Sequence, residues 1–292
     1  MSVVLSITGR NLRLYFRDPL NVFFSLLGAL IVFLLYALFL GNLQISSITQ
    51  ATPGANQHDV QGFVDAWMFG GIVALSTMST TLGALSVFVE DASTGRFRDF
   101  LVAPIRRSQL VLGYLLAAFV IGIVMTVIVL AVALAYLWLV SGVVLSPGHV
   151  AAAVGWMALS TAGFAALWAF VVSYLRTTGA FSAVATIVGT VSGFVAGAYI
   201  AVGLFPDTVR DVVSALPFAQ SAMLLRQAFT EDQLSKVVGG NEQAIDQLSA
   251  FYGITLSVGD WTVPVWFAAG MLAVVAIVFT ALAALRIRSR IR

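Results

Sequence analysis

The sequence predicts an all-α membrane protein with six transmembrane helices, and three observations lead there. Of its 292 residues, 60% are hydrophobic and 10% are charged, against about 25% charged in a soluble domain. Six apolar runs are each long enough to cross a bilayer, which takes about 20 residues as helix. Arginine is spread unevenly between alternate connections, the bias that orients membrane spans. A single core cannot hold this much apolar surface in water, and lipid is the solvent that matches it.

The elements follow in order. In segment 1–18, Arg10, Arg13 and Arg17 fall within about 60° of one another on a helical wheel, with Leu5, Leu12 and Phe16 opposite. This is the pattern of an N-terminal interfacial helix, although a plain basic anchor explains the same arginines equally well. Asp18 offers an N-cap and Pro19 a first-turn residue for span one. The run that follows is about 22 residues long with no small-residue cleavage site behind it, so it reads as a retained span.

The expected spans are 19–40, 63–89, 109–140, 149–175, 180–205 and 263–285. Together they form one transmembrane domain over 1–292. With the N-terminus inside, 12 of the 15 basic residues lie on inner segments, and only Arg210, Arg226 and Lys236 lie outside. Both termini are then cytoplasmic, in a multi-pass protein of the cell membrane. The tail "RIRSRIR" (Arg286, Arg288, Arg290, Arg292) is sufficiently explained as anchoring and orientation.

Segment 206–262 is the one substantial polar stretch. Its seven acids and three bases leave it at −4. Pro217 interrupts its amphipathic first part, which predicts two short helices over 207–229, half in the outer interface, and 241–251 reads as a third. The whole is an outer cap.

Several chemistries are excluded or disfavoured. There is no cysteine, hence no disulfide and no thiolate site. His58 and His149 lie in outer loops or at span edges, without a partner at metal-ligand spacing, so no metal is expected. No phosphate-binding G-x-x-x-x-G-K-[ST] loop occurs, and the single lysine, Lys236, is outside. The chain has no recognisable means of hydrolysing ATP and no catalytic residues. Asp65 and Glu90 sit at opposite ends of span two and nothing ionisable is expected near the midplane, which argues against a self-powered carrier. A net charge of +2 does not imply nucleic acid.

Two polar or small-residue features lie inside the spans. In "STMSTTLGALS", Ser76, Thr80 and Gly83 form one strip and Ser79, Gly83 and Ser86 another. They are candidates to line a path, with helix packing and back-bonded hydroxyls the favoured reading. In "GTVSGFVAG", Gly189, Gly193 and Gly197 recur every four residues and predict a close helix–helix contact, within the chain or across a dimer.

The densest charge lies at the bend 90–108, between spans two and three. Glu90 and Asp91 end span two, Ser93-Thr94-Gly95 makes a turn, and 96–102 has apolar Phe97, Phe100 and Leu101 at helical spacing. Pro104 stops that helix, and Arg106 and Arg107 mark the return to the membrane. The result is a short amphipathic helix on the inner surface, suited to dock in a groove of a soluble partner.

This stretch, "EDASTGRFRDFLVAPIRRSQLVLG", resembles the signature of ABC type-2 exporter permeases. Glu90, Gly95, Leu101, Pro104 and Gly113 match it, and Tyr114 stands where the family often has Lys. "LRLYFRDPLNVFF" and "LPFAQSAMLLRQAF" are also similar to family segments. The resemblance implies a bacterial exporter subunit that pairs with a second permease copy or paralogue and binds a separate nucleotide-binding ATPase. ATP and Mg would sit on that partner, with no cofactor in this chain. The bend would then be the coupling helix. Phe97, Phe100 and Leu101 would make the docking contact, and Arg96, Arg98, Arg106 and Arg107 would position the loop against partner acids and lipid headgroups. Glu90 stands at the hinge, within pairing reach of one of these arginines. The segment 207–229 would fold as short re-entrant helices closing the outer side. Hydroxyls with Phe24, Tyr36, Trp67 and Trp168 suit a hydrophobic or amphipathic drug-like or lipid-like cargo. Export of a lipid-linked glycan, or a non-transporting sensor or scaffold of the same fold, are the alternatives.

Overall fold

The computed structural model describes residues 3–52, 54–97 and 106–290. It is helical, with six helices long and apolar enough to cross a membrane. The N-terminal helix α1 (Val3–Arg17) ends at Asp18, whose Oδ1 accepts from Asn21 N–H at 3.1 Å, and Pro19 opens α2 (Pro19–Leu35). The expected cap is therefore in place. Span one does not stop at residue 40. A π turn over Tyr36–Leu40 passes directly into α3 (Gly41–Ala51), so half of the expected outer loop is helix. Span two is α4 (Gln57–Ala84), bent at Leu85 into α5 (Ser86–Ser93). Spans three and four are α6 (Arg107–Leu139) and α7 (Pro147–Val172).

Span five, α8 (Thr178–Val195), ends ten residues before the expected boundary. The chain turns back at Gly197, which has φ +63, a conformation that favours glycine. The cap then forms α9 (Asp207–Ala215), α10 (Pro217–Val238) and α11 (Glu242–Phe251). Pro217 divides the first two, as expected. The second is not short, however: it has 22 residues and most of its length is buried. A hairpin of β1 (Ser257–Val258) and β2 (Trp261–Thr262) leads into span six, α12 (Val265–Arg290).

Span two is the hub. In its most apolar stretch 83% of residues are buried, against 11% in span five, which places one at the centre and the other at the edge. It owes this place to residues that are small and internally satisfied. Ser76, Thr80 and Thr81 donate to the carbonyls of Ile72, Ser76 and Thr77 at 2.8, 2.6 and 2.6 Å. With their hydroxyls bonded back to their own helix, they can face neighbours without a desolvation cost. Gly122 of span three lies between Thr81 and Thr161, where a Cβ would come within 2.6 and 2.7 Å of their methyls. Span four is tied on by Trp168 Nε1, which donates to Met78 O at 3.0 Å.

Within the chain, the three glycines of span five do not make one continuous ridge. Gly197 has left the helix, and a Cβ on Gly193 would strike the Tyr199 ring of the same chain's return. Gly189 faces open space. The periodicity is real in the sequence, but the chain reverses before a third turn can use it. On α1, Ile7, Thr8, Asn11 and Tyr15 are buried against the bundle, while Leu5 and Phe16 of its apolar face are exposed.

Gly122→Val is expected to destabilise the bundle by about 1–3 kcal/mol, the usual cost of overpacking. Gly189→Val is expected to leave it unchanged. Thermal unfolding in detergent reads both, and equal behaviour of the two variants would contradict this account of the packing.

Candidate functional site

Three places gather polar groups. The first is the inner junction, at the root of the bend. Asp91 has no solvent exposure. Arg10 clasps it with two bonds, Nη1 to Oδ2 at 2.6 Å and Nη2 to Oδ1 at 2.8 Å. The Tyr114 hydroxyl donates to the same carboxylate, and Arg96 Nη1 lies 3.5 Å from it. A fork-to-fork Arg–carboxylate pair fixes orientation as well as distance. The hydrogen bond to Asp91 in turn holds the Arg10 guanidinium above its ordinary pKa. One carboxylate thus joins α1, the end of span two, the bend and the start of span three. Thr8 adds a bond to Gly113 O at 3.2 Å, and Gly113 lets Ile7 approach where a Cβ would meet it at 2.7 Å.

The aromatic rings beside it do the same work by contact. Phe97 packs on Phe88 at 5.1 Å and on Tyr114 at 6.0 Å between centroids. Its ring therefore roots the bend. Glu90 is exposed and pairs with Arg96 at 3.2 Å, the pairing expected of it. Gly95 has φ +77, so it serves the backbone turn. Arg106 caps span three from outside, its N–H donating to Gln109 Oε1 at 3.0 Å, and Arg107 is the first residue of that helix. The expected coupling positions Arg98, Phe100, Leu101 and Pro104 lie outside the described residues.

The second place is a groove of about 210 Å³ between spans one, two and five. Ser79 and Gly83 line it, with Asn21, Phe24, Ser25, Gly189 and Ser192. Ser79 Oγ donates across to Ser25 O at 3.3 Å, and Ser25 Oγ accepts from Tyr15 at 2.7 Å. Ser86 accepts from Asn21 Nδ2 at 3.2 Å. Of the polar strip, Ser76 and Thr80 do not reach this groove. They are fully buried and bonded to their own backbone, which assigns them to packing. Trp67 and Trp168 are buried too and tie helices together. Of the four aromatic residues expected to greet cargo, Phe24 lines the groove.

The third place lies where the cap meets span two. Arg226 of α10 packs against Gly70 and Gly71 of span two, where it is 1% exposed. No carboxylate pairs with it among the described residues. Its Nη2 donates to Gly197 O at 2.6 Å, and its guanidinium carbon sits 4.9 Å from the Trp67 ring centroid. Trp67 Nε1 donates to Tyr252 O at 2.6 Å, and the Tyr252 hydroxyl donates to Gln44 Oε1 at 2.9 Å. A residue counted in the polar connection thus packs, buried, against a candidate span in which nothing ionisable is expected near the midplane. A further tie lies nearer the surface. His149 Nδ1 and Nε2 stand 3.1 and 3.3 Å from Asp232 and Glu231. Those carboxylates lie more than eighty residues away in sequence, so spacing alone hides them.

Sequence reasoning placed the bend and missed its clamp. Asp91 was read as half of an acidic pair ending a helix, Arg10 as one of three interfacial arginines, and Tyr114 as a departure from a family pattern. Their common signal is that each is a polar group at a span boundary.

The sequence matches the family described as ABC-2 family transporter protein over residues 40–285. No curated protein matches it. The match covers spans two to five, nearly all of span six and only the last third of the first candidate span, and it takes in the junction apart from the residues of α1. The chain belongs to the ABC-2 family and is a membrane-spanning permease subunit of a transporter.

Proposed function

We propose that this chain carries a hydrophobic or amphipathic compound outward across the cell membrane of a bacterium, driven by a separate ATPase. A drug-like or lipid-like molecule is the cargo class. The family works in general with an ATP-binding partner subunit, and ATP and Mg belong to that partner. The observation that carries the reading is the Asp91 clamp. A loop meant only to connect two spans needs no buried carboxylate at its root. A loop that takes a push does, because force on a limp element moves nothing else.

The steps follow from the junction. The partner docks on the bend 96–105, with Phe100 and Leu101 as its apolar contacts and Arg98, Arg106 and Arg107 setting its orientation. Its closure displaces the bend. Arg10, Asp91 and Tyr114 pass that displacement to α1, span two and span three together. Both termini lie on the cytoplasmic side in this reading, and the cap lies outside.

The groove supplies the path. Its wall is mostly apolar with a few hydroxyls and one amide, which suits an amphipathic molecule. Spans one and five flank it with exposed Phe24, Ile187, Val191 and Phe194. A second permease copy covering those faces encloses the groove and completes the path.

Coupling is measured with the chain and its cognate ATPase in inverted vesicles. Asp91→Asn is expected to lower both partner ATPase stimulation and transport about tenfold, the loss of ~1.4 kcal/mol of coupling, with membrane insertion intact. Leu101→Asp is expected to abolish stimulation. Since Gly95 sits at positive φ, Gly95→Ala tests the turn without adding charge, and a partial loss is expected. Wild-type rates in both Asp91→Asn and Leu101→Asp would remove the coupling role. Gly189→Phe is expected to stop transport with little change in chain stability, since a Cβ at Gly189 meets no atom within 4 Å and the ring enters the groove. Undiminished transport in that variant places the path elsewhere.

A further inference from the structure

A polar cavity in the cap belongs to neither the junction nor the groove. Its volume is about 370 Å³. Arg210 and Ser214 of α9 line it, with Gln247 of α11, and Thr255 and Ser257 at the start of the hairpin. Two buried atoms of its wall, Arg210 Nε and Ser214 Oγ, have no hydrogen-bond partner among the described residues. Ser214 is fully buried. The two residues stand one helical turn apart on one face of α9, so both serve one space. Asp207 takes Arg210 Nη2 at 2.8 Å but is itself 87% exposed, and it leaves Nε unanswered. Buried donors are normally satisfied. Here a guanidinium, three hydroxyls and an amide converge, and no lining residue is a carboxylate.

We infer that this cavity binds the phosphate of an outer-leaflet phospholipid. A tetrahedral oxyanion accepts from several fixed donors at once, and guanidinium and hydroxyl groups are what it needs. Free phosphate has the same chemistry. The lipid source is favoured by exposed apolar side chains on the same helix and the turn before it: Leu204 and Val212 are 60% exposed and Val209 is 45% exposed, with Val212 on the face of α9 turned away from Arg210 and Ser214. An amphipathic helix of this kind lies at the headgroup level, where acyl chains meet such side chains. The inference rests on the orientation proposed above, with the cap outside, and not on the export reading. It is tested without the ATPase, so its failure leaves the coupling result untouched.

The test is native mass spectrometry of the full chain, purified and delipidated in detergent, then titrated with phosphatidylglycerol, diacylglycerol or inorganic phosphate. The wild type is expected to retain one phosphatidylglycerol per chain and no diacylglycerol. Ser214→Ala and Arg210→Met are each expected to weaken that retention at least tenfold. Ser214→Ala removes a hydroxyl bonded to nothing, so its thermal unfolding is expected to match the wild type, and it decides the matter if Arg210→Met folds poorly. Equal retention by wild type and Ser214→Ala overturns the site. Equal retention of diacylglycerol shows that tails alone bind and overturns the phosphate. Displacement of the lipid by inorganic phosphate at equal concentration shows a free-anion site and overturns the lipid.

Discussion

A carboxylate shut away from water has to be answered by cations and donors, or it does not stay charged. Asp91 is answered from three directions, and the inner half of the molecule is arranged around that demand. Arg10 reaches it only if α1 folds back against the start of span three instead of trailing away from the bundle. Tyr114 reaches it only if span three starts where Gly113 lets α1 come close. Arg96 reaches it only if the chain turns sharply at Gly95. Of the three N-terminal arginines, Arg10 thus has a structural part besides the two readings given to the group.

What was legible in the sequence was whatever depends on neighbours along the chain. Six apolar runs, the Asp18-Pro19 start of span one, the Pro217 break and a helix within 241–251 all follow from local chemistry, and the structure has each of them. The end of span five was not legible. Hydropathy runs on past Val195 through apolar residues, and only the reversal at Gly197 shows that they belong to a turn. Gly197 drops out of the glycine repeat for the same reason, since periodicity presupposes a helix that continues. The serines and threonines of span two divided by face. Ser79 looks into the groove, while Ser76 and Thr80 look into the bundle, and a wheel without neighbours cannot say which is which.

The clamp itself was hidden by distance. Arg10 and Asp91 are 81 residues apart, and His149 and its two acids are farther still. Pairing across spans is decided by which helices touch, and that is decided by small residues such as Gly122, whose role is visible only once the neighbours are placed. The bend was found by composition because charge is scarce elsewhere. The side chains that make it stiff were ordinary in composition and so went unread.

Arg226 bears on how the outer face behaves. Its guanidinium has a carbonyl and a tryptophan for company and, among the described residues, no anion. Such a cation is poorly served compared with one surrounded by water. Any motion that parts α10 from span two lets solvent reach it, and hydration then favours the parted form. The seal is held by shape and aromatic contact against an internal preference for wetting, like a door hung on a light spring that leans outward.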